Sequence, residues 1–158
     1  MGTTVNAPRD VVPSSLSDYL DAMSRAVFSS GISWKVIDAK WNDIREAFDN
    51  FDPLRVAGYT PDDVDRLMAD PHVVRNSKKI EATIANAGEL LVTDREFDGF
   101  DNYLKSFADN DVLVRDLHAR FKFLGESIAH FFLYSIGFNT PAQDAWAHEH
   151  FAGSHHRR

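Results

Sequence analysis

The segment RFKFLGESIAHFFLYSIGF (120–138) is where residue type and spacing point most directly to binding chemistry. Leu113, Leu117 and Phe121 close one amphipathic helix, Phe121-Lys122-Phe123-Leu124-Gly125 makes a tight turn, and Ile128, Phe131, Phe132, Ser135 and Ile136 begin another helix. Two helices joined by a short apolar turn ending in glycine form a helix-hairpin-helix arrangement. In that device the turn and the start of the second helix present backbone N–H groups without an intrahelical acceptor. Together with the helix dipole they bind a phosphate at no cost in net protein charge. The same pattern also fits an ordinary helix-turn-helix packing unit. A second cluster, His148, His150, His155 and His156, has metal-ligating side chains, but His148 and His150 lie two apart on an expected helix and point to different faces. With no cysteine in the chain there is no disulfide framework, thiolate nucleophile or Cys-ligated metal, and neither a metal nor a cofactor is expected.

The charge balance, 17 basic against 24 acidic residues for a net charge of -7, argues at face value against a nucleic-acid partner. Distribution matters more than the sum. Acids crowd into 38–70 and 81–116, whereas Arg75, Lys78, Lys79, Arg115, Arg120 and Lys122 fall around two turns. A locally positive face on an acidic protein is compatible with this pattern.

The elements that must position these residues are helical throughout. Leu16, Tyr19, Leu20, Met23 and Val27 recur at helical spacing and predict a helix over 15–29. Gly31 breaks the pattern, and Ser33 can cap a second helix whose apolar stripe is Trp34, Ile37, Trp41, Ile44 and Phe48. Pro53 opens a short helical turn. Thr60, Pro61 and Asp63 form an N-terminal signature for a helix over 61–69, and Asn76 can cap a helix bearing Ile80, Ile84, Ala87, Leu90 and Leu91. Further helices are expected at 99–107, 111–119, 125–136 and 141–150. No stretch alternates with period two for long enough to make a strand. The expected architecture is an all-α orthogonal assembly of about eight short helices. A loosely attached start over 1–13, one helical domain over 14–152 and a flexible tail over 153–158 complete the division. The longest apolar run, FFLYSIGF, is far too short to span a bilayer, so no membrane association is expected. The first residues lack a basic start followed by an apolar stretch, so a cytoplasmic protein is expected.

Five ordered motifs carry a resemblance. GISW (31–34), FDPLRVA (51–57), DVDRLMAD (63–70), VVRNSKKIEATIANA (73–87) and FKFLG (121–125) are similar in order and spacing to G-[LI]-S-W, F-D-P-x-x-V-A, D-V-x-R-L-x-x-D, I-[IV]-R-x-x-x-K-I-x-A-x-I-x-N-A and F-K-F-[VL]-G. These are the motifs of the DNA-3-methyladenine glycosylase I family, and the resemblance covers about residues 18–140. It implies a helix-hairpin-helix DNA glycosylase fold and base-excision repair of alkylated double-stranded DNA. Such an enzyme takes the damaged nucleotide out of the stack and lets water reach the sugar as the base leaves. By this resemblance Trp34 lines the base pocket, with Ser33 and position 26 beside it. Lys122 and the backbone from Phe123 to Gly125 contact phosphate.

The departures carry equal information. The family has an acidic residue eight positions before the Trp of GISW, where it accepts hydrogen bonds from the alkylated purine; here that position is Ala26. The family's N-terminal segment, with zinc-ligating Cys and His and pocket tyrosines, is expected to be missing, and without cysteine the family's zinc site does not form. Lys105 stands where the family has Trp, and Arg120 where it has Gly, which would add positive charge near the DNA face. In the wider superfamily an Asp about twenty residues after the hairpin glycine stabilises the cationic sugar. Asp144, nineteen residues after Gly125 and three after Pro141, is the candidate here, although an Asp in the first turn of a helix also suits a simple dipole-complementing role. Two functions follow: a glycosylase acting on bases such as 3-methyladenine, or a catalytically weak or inactive DNA-binding protein on the same fold. Apolar enclosure of Ala26 with no carboxylate in reach would favour the second.

Overall fold

A computed structural model describes residues 13–138. Eight α-helices follow one another within them: α1 (Leu16–Ser29), α2 (Trp34–Ala47), α3 (Pro53–Ala57), α4 (Pro61–Ala69), α5 (Ser77–Glu96), α6 (Phe100–Lys105), α7 (Asn110–Arg120) and α8 (Glu126–Ser135). Among the described residues there is no strand. The expected helix over 141–150 and the terminal segments lie outside them.

Local chemistry sets the helix starts. Ser15, Ser33, Asp52 and Asn76 each accept a hydrogen bond from a backbone N–H in the first turn of α1, α2, α3 and α5. Pro53 and Pro61 occupy the first turns of α3 and α4, where a missing N–H costs nothing. At α4 the Asp63 carboxylate accepts from the Thr60 N–H at 2.9 Å, closing the reciprocal half of the predicted box.

Apolar faces then choose the packing. Leu20, Met23, Val27 and Phe28 of α1 meet Ile80, Ala87 and Leu90 of α5 and Ala129, Phe132 and Leu133 of α8 in one continuous core. Ile37, Trp41, Ile44 and Phe48 of the predicted α2 stripe are buried, whereas Trp34, at the first turn of that helix, is half-buried. Asp21 ties α1 to α2, accepting from Trp41 Nε1 at 3.0 Å and from Arg45 Nε at 2.6 Å.

The connection from α2 to α3 has no sequence signal. Asp49, Asn50 and Phe51 take φ values of 54°, 57° and 56°, three successive left-handed residues without a glycine. Such backbone costs roughly 1–2 kcal/mol per residue. It is held because Phe51 is fully buried, stacked between Trp41 and Phe48 at centroid distances of 5.3 and 5.1 Å. Tyr59 Oη also donates to Asp49 at 2.5 Å, and burial, then this bond, pushes the Tyr59 phenol above its ordinary pKa.

Helix α5 is the longest of these elements, and its inward face is partly polar. Lys79, Asn86 and Thr93, spaced by seven residues, are all buried. Each grips a different part of the molecule: Lys79 the end of α1, Asn86 the turn before α8, and Thr93 the Arg120 guanidinium.

Candidate functional site

The turn between α7 and α8 has the shape expected of a hairpin. Phe121 and Leu124 point inwards and are buried, while Lys122 and Phe123 are exposed, Phe123 by 42%. None of the backbone N–H groups of residues 125–128 donates to a carbonyl or a side chain, and the first bond of α8 runs from Ala129 to the Gly125 carbonyl. This end of the helix therefore offers a row of unpaired donors. Gly125 has φ -67° and ψ -179°, which any residue adopts, and a Cβ there would have no neighbour within 4 Å. The fold itself does not require that glycine. What its small size keeps clear is the space in front of the turn. Glu126, exposed in the first turn of α8, sets one negative charge at the same end.

The second part of the site is the turn after α1. Gly31 takes φ +77°, the left-handed conformation that ends the helix, and Ser33 Oγ accepts from the Lys35 N–H at 3.2 Å to start α2 behind Trp34. Ile32 and Val36 are exposed beside the half-buried Trp34. Ala26, one turn before the end of α1, is fully buried within the apolar core. The turn is anchored from α5: Lys79 Nζ donates to the carbonyl of Ser30 at 2.5 Å and to that of Phe28 at 3.3 Å. Burial pulls the Lys79 ammonium below the ordinary lysine pKa.

Arg120 differs from the sequence expectation of a cation available to phosphate. Its guanidinium is turned inwards, with 22% of the side chain exposed, and is paired with Asp116 at 2.7 Å, Glu96 at 2.9 Å and Glu89 at 3.6 Å. It also lies over the rings of Phe97 and Tyr103. The hydrogen bond to Glu96, with the other carboxylates, holds its pKa above the usual arginine range. Tyr103 donates to Asp116 at 2.6 Å, and burial followed by that bond raises its pKa. Arg120 thus neutralises acids that join α5, α6 and α7. Lys105, at the end of α6, is exposed.

Between α7 and the start of α8 lies a cavity of about 510 Å³ lined by Asp111, Val114, Arg115, His118 and Glu126. Among the described residues no three His, Asp or Glu side chains are grouped so as to hold a metal ion. The chain lacks cysteine, so these residues do not fit the zinc that the resemblance would bring. Asp144 and the histidines from His148 onwards lie outside the described residues. Lys79, expected from the sequence to belong to a positive face, is instead buried with its ammonium on backbone carbonyls, and Asn86 gave no signal because an Asn on a helix reads as solvent-facing until the fold buries it.

Residues 17–120 match the family model of the methyladenine glycosylases. The chain belongs to that family. It is 30% identical over 129 residues to DNA-3-methyladenine glycosylase 1 of Escherichia coli (strain K12), an alignment covering 68% of this chain and 69% of the relative. It is 27% identical to the DNA-3-methyladenine glycosylase of Haemophilus influenzae, over 68% and 70% of the two chains. The solved structure of 3-methyladenine DNA glycosylase I from Staphylococcus aureus is similar with a TM-score of 0.74 and 26% identity, covering 86% of this methyladenine glycosylase family member and 83% of that protein. A further crystal structure of 3-methyladenine DNA glycosylase I gives a TM-score of 0.72 at 25% identity, over 80% and 81%. The all-helical fold read from the sequence is therefore the fold of these glycosylases. Among the described residues no helix is long and apolar enough to cross a membrane.

Proposed function

We propose that the protein is a DNA glycosylase of base-excision repair that hydrolyses the N-glycosidic bond of alkylated bases such as 3-methyladenine in double-stranded DNA. Family membership carries this reading, and the hairpin supplies a physical route to DNA for an acidic chain. The unpaired N–H groups of residues 125–128 take a phosphate, with the Lys122 ammonium beside them. Trp34, set at the start of α2 by the Gly31 turn, offers an aromatic face to the extruded base.

The chemistry asks little of acid catalysis. Alkylation at N3 makes the purine cationic, so when the bond from sugar C1′ to the base breaks, its electron pair leaves with a neutral purine. Water adds to C1′ and gives up a proton. Extrusion, stacking and water placement therefore supply most of what is needed. The decisive experiment is release of 3-methyladenine from methylated duplex DNA by the purified protein, with Gly125→Ala alongside. Release above background, reduced in the alanine variant because its methyl group obstructs the phosphate, is the expected outcome. No release at stoichiometric protein overturns the enzymatic reading.

One observation favours a second reading, a DNA-binding protein with weak or no catalysis. Ala26 is fully buried in the apolar core and can neither accept a hydrogen bond from a base nor offset its charge. Duplex binding without base release would establish that reading instead.

A further inference from the structure

Asn86 lies in the middle of α5, buried, and both ends of its carboxamide are used on one residue of the hairpin. Its Oδ1 accepts from the Lys122 N–H at 2.7 Å and its Nδ2 donates to the Lys122 carbonyl at 3.1 Å. An amide paired with both backbone groups of a single residue fixes that residue in position and in orientation. The bonds go to backbone, so the Lys122 side chain stays in solvent. The next residue, Phe123, is held at φ 64°, a left-handed conformation that a residue with a Cβ keeps only when its surroundings impose it. The ring gains little from this, because Phe123 remains exposed. The surroundings that impose it are the Asn86 clamp on one side and the fully buried Leu124 on the other.

We infer that Asn86 is a positioning residue for DNA binding, holding the Lys122 backbone so that the N–H groups of residues 125–128 stay unpaired and available to a phosphate. The inference rests on the proposed reading of duplex DNA as the ligand. It assigns to α5 a task that neither the hairpin sequence nor its charge discloses.

The test is equilibrium binding to a duplex oligonucleotide carrying a tetrahydrofuran abasic-site analogue. Asn86→Ala and Asn86→Leu are each measured alone and combined with Gly125→Ala, with thermal melting as a check on folding. Leu keeps the branched outline of Asn at a larger volume and leaves no void, so it keeps the test alive should the alanine variant fail to fold. Either single variant is expected to bind about tenfold more weakly than wild type. In the Gly125→Ala background, where the approach of phosphate is already obstructed, the further loss falls below about twofold. A folded variant that binds within about twofold of wild type overturns the inference. So does an equal loss in both backgrounds, since that marks a general weakening of the fold. Failure of the wild type to bind any duplex removes the proposed function as well, whereas a binding wild type with unaffected Asn86 variants removes this inference alone.

Discussion

Lys79 reaches from the first turn of α5 to the carbonyl of Ser30, 2.5 Å away, and so fastens the turn that carries Trp34 to the central helix. No carboxylate shares this ammonium; its partners are the carbonyls of Phe28 and Ser30 at the end of α1. Lys79→Met keeps the stem and removes the donors, leaving buried acceptors unpaired, for a loss of about 2 kcal/mol. The pH dependence has a definite sign. Burial lowers the folded-state pKa, so between that value and the unfolded value of about 10.4 the unfolded chain binds more protons. Stability from this residue therefore rises with pH across that window. Melting curves of wild type and Lys79→Met should draw apart as pH rises through it; a constant or narrowing gap contradicts the account.

Arg120→Ala should behave as a stability variant. It strands Asp116, Glu96 and Glu89 close together and leaves Thr93 without the guanidinium, at a cost of roughly 2–3 kcal/mol. A phosphate-contacting arginine would instead change the slope of log affinity against log salt by about one. Denaturant unfolding and a salt titration of DNA binding separate the two. An unshifted midpoint with a shallower salt slope returns Arg120 to the DNA face.

Glu126 sets a negative charge beside the N–H groups that a phosphate would take. Glu126→Gln should tighten DNA binding about threefold at low salt, an effect that fades as screening grows. The helix loses a favourable dipole contact, so a small drop in melting temperature accompanies the gain. Unchanged affinity at low salt would place the phosphate elsewhere.

Ala26→Glu places a carboxylate where the resemblance would put the family's base-recognising acid. The site is fully buried, so the variant should be less stable by about 2–4 kcal/mol, with a carboxyl pKa raised by desolvation. Release of 3-methyladenine should nevertheless rise at least about tenfold, since one well-placed electrostatic group is worth roughly 10²–10³ in rate. The gain should grow with pH as the carboxyl ionises. Ala26→Gln, which accepts a hydrogen bond without charge, should fall between. If both variants release base at the wild-type rate, position 26 does not border the base.

Much of the architecture was legible because its signals are local. Thr60, Pro61 and Asp63 fix the start of α4 within four residues, and the two-step apolar stripe of α2 survives folding with only Trp34 left half-exposed. The parts that were not legible depend on distant partners. The acids that surround Arg120 include Glu89 and Glu96, more than twenty residues earlier in the chain, which only the folded chain brings beside it. The left-handed turn at Asp49–Phe51 has no glycine to announce it and exists because aromatic stacking holds it. Lys79, Thr83, Asn86 and Thr93 interrupt the apolar pattern of α5 and read as a surface, although each is buried with its polar group satisfied by the fold. The hairpin shape could be read from FKFLG, but the residue that holds it could not.

The spacing of Lys79, Asn86 and Thr93 turns α5 into a ruler. Seven residues of α-helix advance about 10 Å and stop about 20° short of two full turns, so the three grips share one face at nearly equal steps. A single inserted or deleted residue between Lys79 and Asn86 would rotate one grip by about 100° away from the other. Chain length in this stretch is thus constrained more tightly than composition: neutral drift can exchange the exposed residues between the grips, but it cannot add or remove one without uncoupling the aromatic turn from the hairpin.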